Sequence, residues 1–201
     1  MGWKASCIFV SEQGSGFFAK ERANDPAKCR ELADALGYKK YRFEAESTLL
    51  DGIYPDSDLI PRRLVIGAYD GGCFIGHNSL WMSTSKNNTS AGPLLDQVIE
   101  RFPNATVLVI GLHSVVDFWM FALYEKGRLI RQFGGTGDDG VIVDTGDSLP
   151  VEANGDEGEA LVFHVTAQMT GCPLDQDGPH LTVPTSAFLK PSWLQSLFGG
   201  R

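Results

Sequence analysis

Long hydrophobic runs are missing from this chain of 201 residues. The opening stretch MGWKASCIFV is apolar for only a few residues before SEQGSG interrupts it, too short for a membrane span or the core of a secretory signal. Gly2 and Ser6 fit an N-terminal acylation pattern, but the same residues lead into an apolar segment better read as a buried first strand. Cysteines are few and scattered, at Cys7, Cys29, Cys73 and Cys172, with no C-x-x-C pair. That spacing argues against a disulfide framework and predicts free thiols in a reducing cytoplasm. His77, His113, His164 and His180 share no H-x-x-x-H or H-E-x-x-H spacing, so neither a metal nor a cofactor is expected. No G-x-S-x-G elbow supports a hydrolase of that class. No Pro/Ser-rich linker and no repeat divides residues 1–201, which predicts one domain.

Positive charge is also scarce in one region. Through Arg131 the chain carries fifteen Lys/Arg and fifteen Asp/Glu; beyond it there are two and ten, so the formal charge of -8 lies entirely in the last third. Eight acids crowd between Asp138 and Glu159 with no Lys or Arg among them. Such a segment repels nucleic acid and anionic membranes and suits a basic protein partner. The residues expected to form this binding surface are Asp138, Asp139, Asp144, Asp147, Asp156 and Glu157. A solvated acidic face that merely keeps the protein soluble is the plainer alternative.

What is present describes an α+β fold, a mainly antiparallel sheet with helices packed on it. Lys4 to Val10 reads as a strand. NDPAKCRELADALG then reads as a helix, with Asp25 as N-cap, Pro26 at the first position and Gly37 at the end. RRLVIGAYDGGCFIGH reads as a hairpin about Asp70-Gly71-Gly72, and GPLLDQVIERFP as a second amphipathic helix. ATVLVIGLH is nearly all apolar, which predicts a strand buried on both faces. In FWMFALYEKGRLIRQF a two-residue Lys126-Gly127 turn would set Glu125 opposite Arg128, Tyr124 opposite Leu129 and Leu123 opposite Ile130. A bulge at Gly127 would shift that register. Val141 to Asp144 suggests a further strand, Glu157 to Thr170 a helix closed by Gly171, and PSWLQSLFGG a short final helix.

GLHSVVDFW gathers His113, Ser114 and Asp117. Adjacent side chains diverge on strand or helix, so His113 and Ser114 do not readily form a base and nucleophile pair. Ser114-x-x-Asp117 reads better as a capped turn. A small hydrolase or transferase using His113, Ser114 and Asp117 is the rival to a non-enzymatic acidic binding protein, immunity-like or antitoxin-like. GGTGDDG places Asp138 and Asp139 where a phosphate loop needs a Lys, so a turn between strands is expected. Asp138, Asp139, Asp144 and Asp147 lack the spacing of a calcium loop.

The stretch LHSVVDFWMFALYEKGRLIRQFGGTGDDGVIVDTGDSLPVE, with STLLDGIYP at residues 47–55, resembles a family of uncharacterised bacterial proteins, a domain of unknown function. Its members carry an H-S-V-V-D stretch, a G-R-L-[IV]-R hairpin and an L-P-x-E close. The resemblance implies one cytosolic bacterial domain and brings no activity, substrate or catalytic residue with it.

Overall fold

The computed structural model describes residues 4–54, 62–77 and 92–191. Its frame is one nine-stranded sheet in the order β2-β9-β3-β4-β1-β5-β6-β7-β8. The strands are β1 (Lys4–Ser11), β2 (Arg42–Thr48), β3 (Arg63–Tyr69), β4 (Gly72–His77), β5 (Thr106–His113), β6 (Phe118–Glu125), β7 (Arg128–Thr136), β8 (Gly140–Gly146) and β9 (Pro184–Leu189). Every pairing is antiparallel. The helices are α1 (Pro26–Ala35), α2 (Leu49–Ile53), α3 (Gly92–Arg101) and α4 (Gly158–Thr170).

The sheet has helices on both faces, and strand alternation divides its side chains between two cores. Ala5, Cys7 and Phe9 of β1, with Leu108, Ile110 and Leu112 of β5, meet α2 and α4. Ile8 and Val10, with Val107 and Val109, meet α1 and α3 on the other side. Because each residue in the middle of β5 is buried against one helix layer or the other, the strand reads as an unbroken apolar run. Helix α1 begins as expected: the Asp25 carboxylate accepts from the amides of Ala27 and Lys28 at 3.0 and 3.1 Å, meeting two donors that the first turn leaves unpaired.

The β6–β7 hairpin turns on Lys126 and Gly127, both at positive φ (49° and 74°), the combination a tight primed turn needs. Glu125 faces Arg128 and Tyr124 faces Leu129. The next pair departs from expectation, since Leu123 faces Arg131, not Ile130. The bulge sits in β7 two pairs beyond the turn rather than at Gly127, and Ile130 is the extra residue. Without it, alternation would point Arg131 at the α1–α3 side. With it, Arg131 shares a face with Leu123 and Phe133 on the α2–α4 side.

Other local readings come out with small shifts. The β3–β4 turn uses Asp70 and Gly71 alone, and Gly72 is already paired with Tyr69. Helix α4 starts at Gly158 with Glu157 as its cap residue and closes at Gly171 in the left-handed conformation. The GGTGDDG segment is the expected turn, with Thr136 paired to Gly140 across it. Strands β2 and β9 and helix α2 were not foreseen. The proposed final helix at PSWLQSLFGG lies outside the described residues but for Pro191. Among the described residues no helix is long and apolar enough to cross a membrane, and all four cysteines are free.

Candidate functional site: an acidic cleft beside the β6–β7–β8 meander

His113 and Phe118 face each other as the last pair of β5 and the first of β6, so residues 114–117 form a hairpin turn with no helix after it. The amide of Val116 donates to the His113 carbonyl and that of Val115 to His113 Nδ1, each at 3.3 Å. Ser114 thus sits in a turn, as expected, but not at a helix start. Asp117 takes φ 47°, a left-handed conformation that Asp tolerates better than most residues. Its carbonyl accepts from the Gly137 amide at 3.1 Å, tying this turn to the β7–β8 turn.

Between these two turns and the first turn of α4 lies a cleft of about 560 Å³. Asp117, Glu157 and Glu159 supply its charges, and Trp119 and Phe133 its apolar wall. The two rings meet edge to face with centroids 5.3 Å apart. Among the described residues no Lys, Arg or His lines the cleft. Burial pushes the Glu159 carboxyl above its ordinary range, and the nearby carboxylates of Asp117 and Asp175 push it further. A second hollow of about 580 Å³ adjoins at Phe133 and Glu157 and is lined by Glu152 and Asp156 as well.

The wall behind both hollows is held by Arg131, whose side chain is only 3% exposed. Its guanidinium grips Glu152 in a two-pronged pair, Nε to Oε1 at 2.9 Å and Nη2 to Oε2 at 2.8 Å. Nη1 donates to Asp144 and to the Gly146 carbonyl, and the group lies 4.6 Å from the Phe133 ring centroid. Glu152 Oε1 also accepts from the Leu149 amide at 2.8 Å. Burial alone would raise the Glu152 carboxyl, but these hydrogen bonds hold it below its ordinary value.

The acids expected to act together therefore divide. Glu157 lines the cleft beside Asp117, which belongs to the rival constellation, and Asp156 and Glu157 share the adjoining hollow. Asp144 is engaged by Arg131, and Asp156 lies 2.8 Å from His164 Nδ1. Asp138 and Asp139, at the β7–β8 turn, and Asp147, after β8, are exposed but do not line the cleft. His113 and Ser114 do not line it either. Among the described residues no three His, Cys, Asp or Glu side chains cluster as a metal site would require. Glu159, Trp119 and Phe133 were not singled out as site residues, since only the fold brings the segments around Asp117, Phe133 and Glu159 together. Arg131 and Glu152 had a signal: they end the G-R-L-[IV]-R and L-P-x-E stretches.

Residues 5–175 match the model of a family described as a family of unknown function (DUF6928), and the chain belongs to that family. No curated protein and no solved structure matches it.

Proposed function

With no activity attached to that family, we propose that the protein is a non-enzymatic binding protein of the bacterial cytoplasm, whose cleft receives a cationic side chain of a basic macromolecular partner. One observation carries this: three carboxylates and two aromatic rings line a cleft that holds no basic residue among the described ones. Carboxylates supply long-range attraction, and aromatic faces favour a desolvated ammonium or guanidinium. The reading narrows the acidic surface from the whole of residues 138–159 to Glu157 and Glu159 and adds Asp117 from outside that segment, with Asp138, Asp139 and Asp147 adding to the surrounding field. A hydrolase or transferase built on His113 and Asp117 has less support, because only Asp117 of that pair faces the cleft.

The test uses an immobilised Lys/Arg-rich peptide and the variant Asp117→Asn, Glu157→Gln, Glu159→Gln. Asn also tolerates the left-handed backbone at position 117. Exposed charges are screened over about 8 Å at physiological salt, so the variant should associate more slowly and with a shallower salt dependence. Equal association rates and equal salt slopes for the two proteins would leave the acids as a solubility feature.

A further inference from the structure

The four thiols are not equivalent. Cys7, Cys29 and Cys73 are buried, and burial raises all three above the ordinary thiol range, which makes them poor nucleophiles. Cys172 is half-buried. It follows the Gly171 cap of α4, and its carbonyl is held by the Thr170 hydroxyl at 2.7 Å. Its Sγ lies 3.3 Å from Nδ1 of His180.

His180 is wholly buried on the short helical turn Pro179–Thr182, and among the described residues its Nε2 has no hydrogen-bond partner. Cys172 engages the ring at Nδ1, which in the Nε2-protonated tautomer is placed to take the thiol proton. Gly178 lies directly above the pair: a Cβ there would come within 2.6 Å of Sγ and 2.8 Å of Nδ1. Its backbone is extended, with φ -167°, so the absent side chain answers to the space over the sulfur and not to backbone strain.

We propose that Cys172 is a modification site that forms a mixed disulfide with low-molecular-weight disulfides, with His180 as the base. His180 Nδ1 takes the thiol proton as Sγ attacks one sulfur of R–S–S–R. The Sγ–S bond forms, the S–S bond breaks, and the departing thiolate receives the proton from Nδ1 and leaves as R–SH. Cys172 is oxidised and one R–S group is reduced, so the exchange balances without another reactant. Burial lowers the His180 pKa, which keeps the imidazole neutral at neutral pH but weakens it as a base, so the proton moves to Nδ1 only as the Sγ–S bond forms. The acidic cleft plays no part in this step.

The probe is glutathione disulfide, added to the native full chain, with adducts mapped and timed by mass spectrometry. One adduct, on Cys172, is expected, with the other three cysteines reacting only after unfolding. His180→Gln should slow the adduct by roughly a hundredfold or more, the range of general-base assistance. Should His180→Gln fail to fold, Gly178→Ala decides the matter: its methyl group must displace Sγ or the imidazole from their 3.3 Å contact and should also slow the reaction. Native Cys172 reacting no faster than the other three thiols, or a folded His180→Gln reacting at the wild-type rate, or Gly178→Ala reacting at that rate, would overturn the proposal.

Discussion

Arg131 and Glu152 form a buried ion pair whose two halves differ in what their removal leaves behind. Arg131→Met would strand Glu152, 90% buried and with its main donor gone, and loss of one partner of such a pair costs about 3 kcal/mol or more. For a chain of this length that corresponds to a drop in melting temperature on the order of 10 °C, readable by calorimetry. Asp144 is 61% exposed and adds little. Glu152 and Glu159, seven positions apart, should respond oppositely to neutralisation. Glu152 has its carboxyl held below the ordinary value, so its contribution is present above that value and is lost as pH falls through the lower folded value. Glu159 is raised, so its contribution is full below the ordinary carboxyl range and is lost as pH rises through the folded value. At pH 7 Glu152→Gln should lower the melting temperature and Glu159→Gln should raise it. Shifts of the same sign would contradict the environments described for the two groups.

The β5–β6 turn offers an element-scale test, because Asp117 holds a left-handed backbone that is costly for a residue with a Cβ. Asp117→Gly should keep or slightly raise stability in urea unfolding, whereas Asp117→Ala should lower it by about 1 kcal/mol. Equal losses for both would mean that the carboxylate, not the backbone, matters to the turn. The elements legible in the sequence are those whose signals are local. The Asp25-Pro26 start of α1 needs only its own first turn, and the Lys126-Gly127 hairpin only its two arms. β2 was not legible because RFEAEST carries its alternation on Phe43 and Ala45 alone among charged residues: its first five residues are exposed, on an outer edge of the sheet. Helix α2 was hidden by its length, although Thr48 and Asp51 cap its start reciprocally. The bulge in β7 was missed for a different reason. It satisfies a demand from Glu152, twenty-one positions away, that no pattern within the hairpin expresses. The cleft is legible only in part for the same reason, since the acidic run shows in the sequence but its meeting with Asp117 and Trp119 depends on tertiary packing.

At the scale of the whole molecule, the sheet order sets a gradient of protection. β1, β4 and β5 lie at the centre with both faces covered, while β2 and β8 each leave one edge without a neighbouring strand among the described residues. Amide hydrogen exchange should therefore be slowest in β1, β4 and β5 and fastest in β2 and β8. Fast exchange in β1 would mean that the two helix layers do not stabilise the sheet as one unit. The same order has a consequence for how the protein is made. β9 lies between β2 and β3, so the ribosome must deliver the segment beginning at Pro184 before β2 has any partner. At ordinary elongation rates β2 waits on the order of ten seconds after its own synthesis. Its polar sequence suits that interval, because an apolar strand left unpaired for so long would be exposed to pairing with neighbouring nascent chains. A ribosome stalled before Pro184 would hold β2 and one side of β3 open together.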